Sequence, residues 1–277
     1  MTNITDGNET SKSHTGNYAP VNGLQMYYEI HGTGRPLVLL HGAMSAIDTS
    51  FGKLLAGLAA TRQVIAIEQQ AHGRTADVDR PLTMEQMAED TAALLRHIGV
   101  EEADFFGYSM GAGIALQIAI AHPKLVRKLV LTSVTYNNEG FHPGLLAGME
   151  TLKPEDLVGS PFYEEYINIA PRPQDWPQLV SKVKQLDSAM PDLSPEVIRA
   201  IKAPTLLIIG DSDIIRPEHI VEMFRLFGGG VAGDVVGLPH SQLAILPGTT
   251  HVTTVYRADL LLPIIPPFLD APMPESK

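Results

Sequence analysis

The chain has 277 residues, 44% of them hydrophobic, with 31 acidic against 20 basic side chains and a formal net charge of −11. That is ample for one large α/β core, and the acidic balance argues against nucleic acid or an anionic membrane as partner, because both attract basic surfaces. The absence of cysteine excludes disulfides, thiolate metal sites and a cysteine nucleophile.

Residues 1–17 are polar, rich in Thr, Asn, Ser and Gly, and read as a disordered lead-in without the apolar core of a signal peptide. Asn3-Ile4-Thr5 and Asn8-Glu9-Thr10 match glycosylation acceptors, but without a secretory signal they read as ordinary tail. Cytoplasm is therefore the expected address. No run approaches the ~18 continuous apolar residues of a membrane span.

Val21 to Ile30 alternates around Asn22-Gly23 as a hairpin does. Pro36 to Leu40 is a short, wholly apolar run ending in His41-Gly42, as expected of a buried parallel strand. Phe51 to Ala60 has helical spacing, and Gln63 to Ile67 is a second buried strand. Thr83 opens a helix, with Gln86 three residues on in a capping-box pattern. A strand at Phe105-Phe106, a helix from Ser109 and a strand over Lys128 to Leu131 follow. The alternation then stops between about Tyr136 and Ala203, a segment too long for a loop and suited to a helical insertion. Strands resume at Pro204 to Gly210 and Gln242 to Leu246, before a proline-broken helical stretch over Thr254 to Leu269. The pattern predicts an α/β fold, a mostly parallel central sheet with helices on both faces.

Gly107-Tyr108-Ser109-Met110-Gly111 falls where a strand must turn sharply into a helix. Two glycines give the turn room, the serine hydroxyl projects from its tip, and helix N-terminal N–H groups face whatever it attacks. A serine needs a neighbour to take its proton, usually a histidine held by a carboxylate. Of ten histidines, His251 has the strongest case, in a turn between the last strand and the last helical stretch. His97 and His122 read as surface or helix caps, His14 as tail, and His142 as surface within the insertion. His31 and His72 read as loop residues with structural hydrogen bonds, His41 as a loop organiser, and His219 and His240 as surface. For the acid, Asp211 and Asp213 both follow the strand ending at Gly210, and either can face the histidine. The oxyanion of a tetrahedral intermediate needs two N–H donors, here Met110 and, from the loop after His41-Gly42, Ala43.

The order Ser109, then Asp213 after a long insertion, then His251 resembles the α/β-hydrolase fold family, as do His41-Gly42 and the Gly210-x-x-Asp213 spacing. The likeness covers roughly residues 20 to 270. It implies Ser109 as nucleophile, His251 as base, Asp213 as acid, and Ala43 and Met110 as oxyanion donors. It also implies a hydrolase core over 18–135 and 204–277, with a helical cap over 136–203 that sets specificity. One departure stands out: Glu68-Gln69-Gln70-Ala71-His72-Gly73-Arg74-Thr75 replaces the Asp-x-x-Gly-His-Gly-x-Ser of many relatives, which blurs the subfamily. A serine nucleophile is unlike the aspartate of epoxide hydrolases and haloalkane dehalogenases. Carboxylic ester hydrolysis, lactones included, is the central expectation, with acyl-homoserine lactone as the specific guess. Thioesterase, perhydrolase, carbon–carbon hydrolase and a non-catalytic binding protein are the alternatives. The insertion's apolar residues favour a small apolar ester or lactone, with Met44, Tyr108 and Trp176 as candidate pocket residues. No metal, cofactor, nucleic acid or membrane partner is implied.

Overall fold

The computed structural model describes residues 16–274. Most of the predicted tail, with both glycosylation motifs, lies outside them. Its end at residue 17 needs correction, because Asn17 already begins the first strand.

β1 (Asn17–Val21) and β2 (Leu24–His31) pair antiparallel across Asn22-Gly23. Both turn residues have positive φ, 48° and 86°, as a tight two-residue hairpin turn requires. Six further strands are β3 (Arg35–Leu40), β4 (Arg62–Ile67), β5 (Ala103–Tyr108), β6 (Val126–Thr132), β7 (Thr205–Ser212) and β8 (Gln242–Thr250). The sheet runs β1-β2-β4-β3-β5-β6-β7-β8, antiparallel at β1 and β2 and parallel from β4 onward. Side chains alternate across it: Val38, Leu40 and Phe105 enter one apolar core, while Leu37, Leu39 and Phe106 enter the other. Two buried faces explain why the inner strands read as unbroken apolar runs.

The helix expected over Phe51 to Ala60 is two short ones, α1 (Ile47–Phe51) and α2 (Leu55–Ala59). Gly52, a poor helix former, falls at the break between them. In α3 (Met84–His97) the Thr83 hydroxyl accepts the Gln86 amide at 3.1 Å. The Gln86 side chain donates to Asp90 instead of reaching back, so only half of the capping box forms. α4 (Met110–Ala121) follows β5 directly.

Between β6 and β7 lie α5 (Leu145–Thr151), α6 (Pro161–Ile169), α7 (Trp176–Ser188) and α8 (Pro195–Ala200). Tyr166, Trp176, Leu179, Val180 and Val183 from these helices join the core cluster on one sheet face. Lys182 ties them down further, donating to Asp77 at 2.8 Å and to the Val78 and Arg80 carbonyls at 3.0 and 2.7 Å. α9 (Pro217–Leu226) and α10 (Gly233–Val236) connect β7 to β8. The final stretch breaks into α11 (Ala258–Leu261) and α12 (Ile265–Asp270) around Pro263, which lacks the N–H a continuous helix needs. Beneath α12, Arg127 bonds Asp104 through two nitrogens at 2.7 and 2.5 Å, and donates to the Leu269 carbonyl at 2.7 Å.

Candidate active site

The strand order turns at β3, which has β4 on one side and β5 on the other. Such a switch opens a crevice at the strands' carboxyl ends, where ligands of α/β sheets gather. The loops leaving β3 and β5 there carry His41 to Met44 and Ser109.

Ser109 has φ 53° and ψ −117°, a sparsely populated conformation for a residue with a side chain. Its flanking glycines are dictated by packing. A Cβ on Gly111 would lie 2.0 Å from the Leu40 carbonyl oxygen, and one on Gly107 would lie 2.3 Å from that of Gly111. The elbow is thus pressed against the end of β3, and its amide is held by the Thr132 carbonyl at 2.9 Å.

His251 and Asp213 complete a connected line. His251 Nε2 is 2.9 Å from Ser109 Oγ, and Nδ1 is 2.8 Å from Asp213 Oδ1. Because a carboxylate only accepts, Nδ1 carries the proton and Nε2 is free to accept from the serine. β8 runs on to Thr250, beyond the predicted Leu246, past a register shift opposite Gly210 and Ser212. His251 follows immediately. The Tyr108 hydroxyl donates to the His251 carbonyl at 3.0 Å, and the two rings lie 5.4 Å apart.

The Asp213 side chain is fully buried. Burial alone would raise its pKa, but the His251 hydrogen bond and charge, the Ser133 hydroxyl and the Ile215 amide together hold it below the usual carboxylate value. Asp211 is exposed and accepts the amides of Gly248 and Thr249 at 3.0 and 3.3 Å, pinning the turn within β8. The two aspartates thus occupy separate places: Asp213 meets the histidine and Asp211 does not.

Met110 is the first residue of α4, where backbone N–H groups have no intrahelical acceptor. Ala43 lies in the loop facing it, beside Gly42, and both line the same cavity as Ser109. His41 fixes that loop. Its Nδ1 donates to the Gly42 carbonyl at 2.8 Å and its Nε2 accepts the Gln69 amide at 3.0 Å. Burial, helped by the neighbouring His72, lowers its pKa to about 3, so it stays neutral.

The cavity measures about 210 Å³ and is walled by Met44, Tyr108, Phe141, Phe162 and Met190 among others. Trp176 is not in that wall, which corrects its assignment as a pocket residue. It is 3% exposed, donates Nε1 to the Pro154 carbonyl at 3.2 Å and packs between Tyr163 and Tyr166. The indole thus packs the start of α7 against α6. His219, expected at the surface, is 2% exposed, stacked on Tyr136 at 4.5 Å and bonded to the Thr135 hydroxyl at 2.9 Å. Its position on the inward face of α9, between buried neighbours, overrides its polarity.

Three residues near the cavity carried no signal in the sequence. Ser133, at φ 57°, follows β6 and donates to Asp213 Oδ2 at 2.5 Å. Glu165 on α6 accepts the amides of Ala46 and Thr49 at 3.0 and 3.1 Å, together with the Thr49 hydroxyl. Asp187 on α7 lines the cavity. Among the described residues, no group of three or more His, Cys, Asp or Glu is arranged to hold a metal ion.

The alpha/beta hydrolase fold profile matches residues 35–159. The chain has the α/β-hydrolase fold. The α/β-hydrolase fold extends well beyond the matched residues, as a solved enol-lactonase from Burkholderia xenovorans LB400 shows. That structure superposes with a TM-score of 0.69 at 19% identity, covering 92% of this chain and 100% of its own. Among sequence relatives, the non-heme haloperoxidase of Rhodococcus erythropolis is 26% identical over 86% of this chain and 93% of its own. The serine hydrolase BPHL of Mus musculus is 26% identical over 90% of this chain and 84% of its own. No helix among the described residues is long and apolar enough to cross a membrane.

Proposed function

We propose that the protein is a serine hydrolase that cleaves small carboxylic esters, lactones included, through an acyl-enzyme. The observation that carries this reading is the unbroken line Ser109–His251–Asp213, at 2.9 and 2.8 Å, with its serine end in an apolar cavity. In this reading His251 takes the Ser109 proton as Oγ attacks the ester carbonyl. Asp213 holds the ring in the required tautomer and balances the imidazolium charge. The N–H groups of Ala43 and Met110 receive the developing oxyanion. The imidazolium then protonates the departing alkoxide, and water, activated by the same histidine, releases the acid. In a lactone the departing alkoxide stays attached and leaves as the hydroxyl of a hydroxy acid.

The helical segment over 136–203 acts as a cap in this scheme, since Phe141, Met149, Phe162 and Met190 roof the cavity. Its size suits a short or medium acyl group. The serine hydrolase BPHL, a relative by sequence, supports the same class, and the enol-lactonase shares the fold.

A panel of short- and medium-chain p-nitrophenyl esters, acyl-homoserine lactones and aromatic lactones tests the reading. Turnover should be measurable on at least one ester, and an alkyl fluorophosphonate should add its mass at Ser109. Ser109→Ala should lose at least a hundredfold in turnover while melting at the wild-type temperature. Wild-type turnover in the Ser109→Ala protein would sink the assignment.

A further inference from the structure

Asp187 is out of place in the wall it occupies. It sits on α7 one turn after Val183, in a cavity otherwise walled at that end by Met149, Val183 and Met190. Its Oδ2 is buried without a hydrogen-bond partner among the described residues. A buried acceptor left unsatisfied is destabilising, so natural proteins rarely keep one without a use.

Partners within reach of α7 are engaged elsewhere. Lys184, three residues back, donates to the Leu152 carbonyl at 3.0 Å. The Ser188 hydroxyl donates to the Lys184 carbonyl at 2.9 Å. Lys182 is committed to Asp77 and two carbonyls on the opposite side. Burial pushes Asp187 up to about 6, with the His251 charge pulling the other way.

Asp187 also lies at a partition. A second pocket of about 220 Å³ adjoins the first, sharing only Met149 and Asp187 with it. Its wall is polar, with Asn138, Glu150, Lys184 and Ser188. Moving from Ser109 past Met149, the surroundings change from apolar to polar at Asp187.

We propose that Asp187 is a specificity residue that accepts a hydrogen bond from the far end of the substrate, a hydroxyl or ammonium separated from the scissile ester by an apolar segment. The substrate class is then ω-hydroxy- or ω-amino-acyl esters rather than plain fatty-acyl esters. This rests on the hydrolase reading and deepens it.

The experiment compares ethyl esters of six- and eight-carbon ω-hydroxy and ω-amino acids with methyl-terminated esters of the same heavy-atom count. Acid release is followed in wild type, Asp187→Asn and Asp187→Leu. Wild type should prefer a donor-terminated ester at one of the two lengths by tenfold or more in kcat/KM, because a site built around a polar group rejects the analogue lacking it. Asp187→Leu should erase that preference and speed the methyl-terminated ester. Asp187→Asn, which still accepts but carries no charge, should keep a hydroxyl preference and lose an ammonium one, which separates the two donors. Asp187→Leu should also melt at a higher temperature than wild type, as loss of an unpaired buried carboxyl predicts and loss of a structural contact does not.

The proposal is overturned if wild type favours methyl-terminated esters at both lengths, or if Asp187→Leu changes both kinds by one factor. Absence of turnover on every ester overturns the hydrolase reading instead. Asp187 is then read by saturation-transfer NMR of the same donor- and methyl-terminated pairs, with equal signals in wild type and Asp187→Leu overturning it.

Discussion

The Ser133 hydroxyl donates to Asp213 Oδ2 at 2.5 Å, on the carboxylate oxygen that His251 does not use. Oδ1 serves His251 and the Ile215 amide, so both oxygens of the buried carboxylate are satisfied. The carboxylate is thereby fixed in orientation as well as charge.

Ser133→Ala should therefore lower kcat about tenfold with KM little changed, measured on p-nitrophenyl butyrate, since a hydrogen bond to a charged group is worth about 1.5–3 kcal/mol. Its effect on acid stability has a definite sign. Asp213 is held below the usual value for aspartate, so its contribution to stability is complete above that value and lost as pH falls through the lower folded one. Removing the Ser133 donor raises the folded value, and acid unfolding followed by circular dichroism should begin at higher pH.

The two neighbouring aspartates should separate cleanly. Asp213→Asn should lower kcat on the order of 10³- to 10⁴-fold, since the amide favours the wrong histidine tautomer. Asp211→Asn should stay within about tenfold in kcat and show instead a lower melting temperature, because the Gly248-Thr249 turn depends on its two acceptors. The reverse order in steady-state kinetics would move the acid to Asp211.

Activity should fall on acidification, because an imidazolium at His251 cannot take the serine proton. His41 and His219 do not enter this limb. Burial holds them near 3 and 4, so both stay neutral throughout the range in which the rate changes. His41→Gln and His219→Gln should leave the acid limb of kcat/KM where it was, and a shift with either would contradict His251 as the sole base.

Trp176→Ala should destabilise by about 3–5 kcal/mol, as deletion of a fully packed aromatic does. Its effect on kcat/KM should be uniform across acyl chain lengths. Phe162→Ala, in the cavity wall, should do the opposite, changing chain-length preference with a smaller loss of melting temperature. Thermal melts and a chain-length series on both variants decide this.

Trp176 also marks where the sequence stops being legible. The strands, the elbow at Ser109 and the place of His251 after a strand are readable because each is a local pattern, of apolar runs, glycines at fixed offsets and polar residues at strand ends. The choice of Asp213 over Asp211 rests instead on the resemblance of Gly210-x-x-Asp213 to the α/β-hydrolase family. Trp176 was misplaced because the insertion has no sheet to orient it, and an aromatic on a short helix carries no mark of which side it will bury. His219 was misplaced for a related reason, since its burial depends on Tyr136 and Thr135, more than 80 positions away. Ser133 and Asp187 acquire their significance only from partners, or their lack, that the fold brings near. Chain order cannot report such proximity.

Glu165 joins two parts of the molecule that are otherwise far apart in the chain. Its carboxylate, on α6, grips the amides of Ala46 and Thr49 where α1 begins, three residues beyond Ala43. Any motion that lifts α6 to admit a bulky molecule must break this grip or tug the segment that carries Ala43. The doorway and the anvil are therefore mechanically one piece: the lid cannot swing wide while the loop beneath keeps its shape, and a substrate that fits without forcing the lid finds that loop already set.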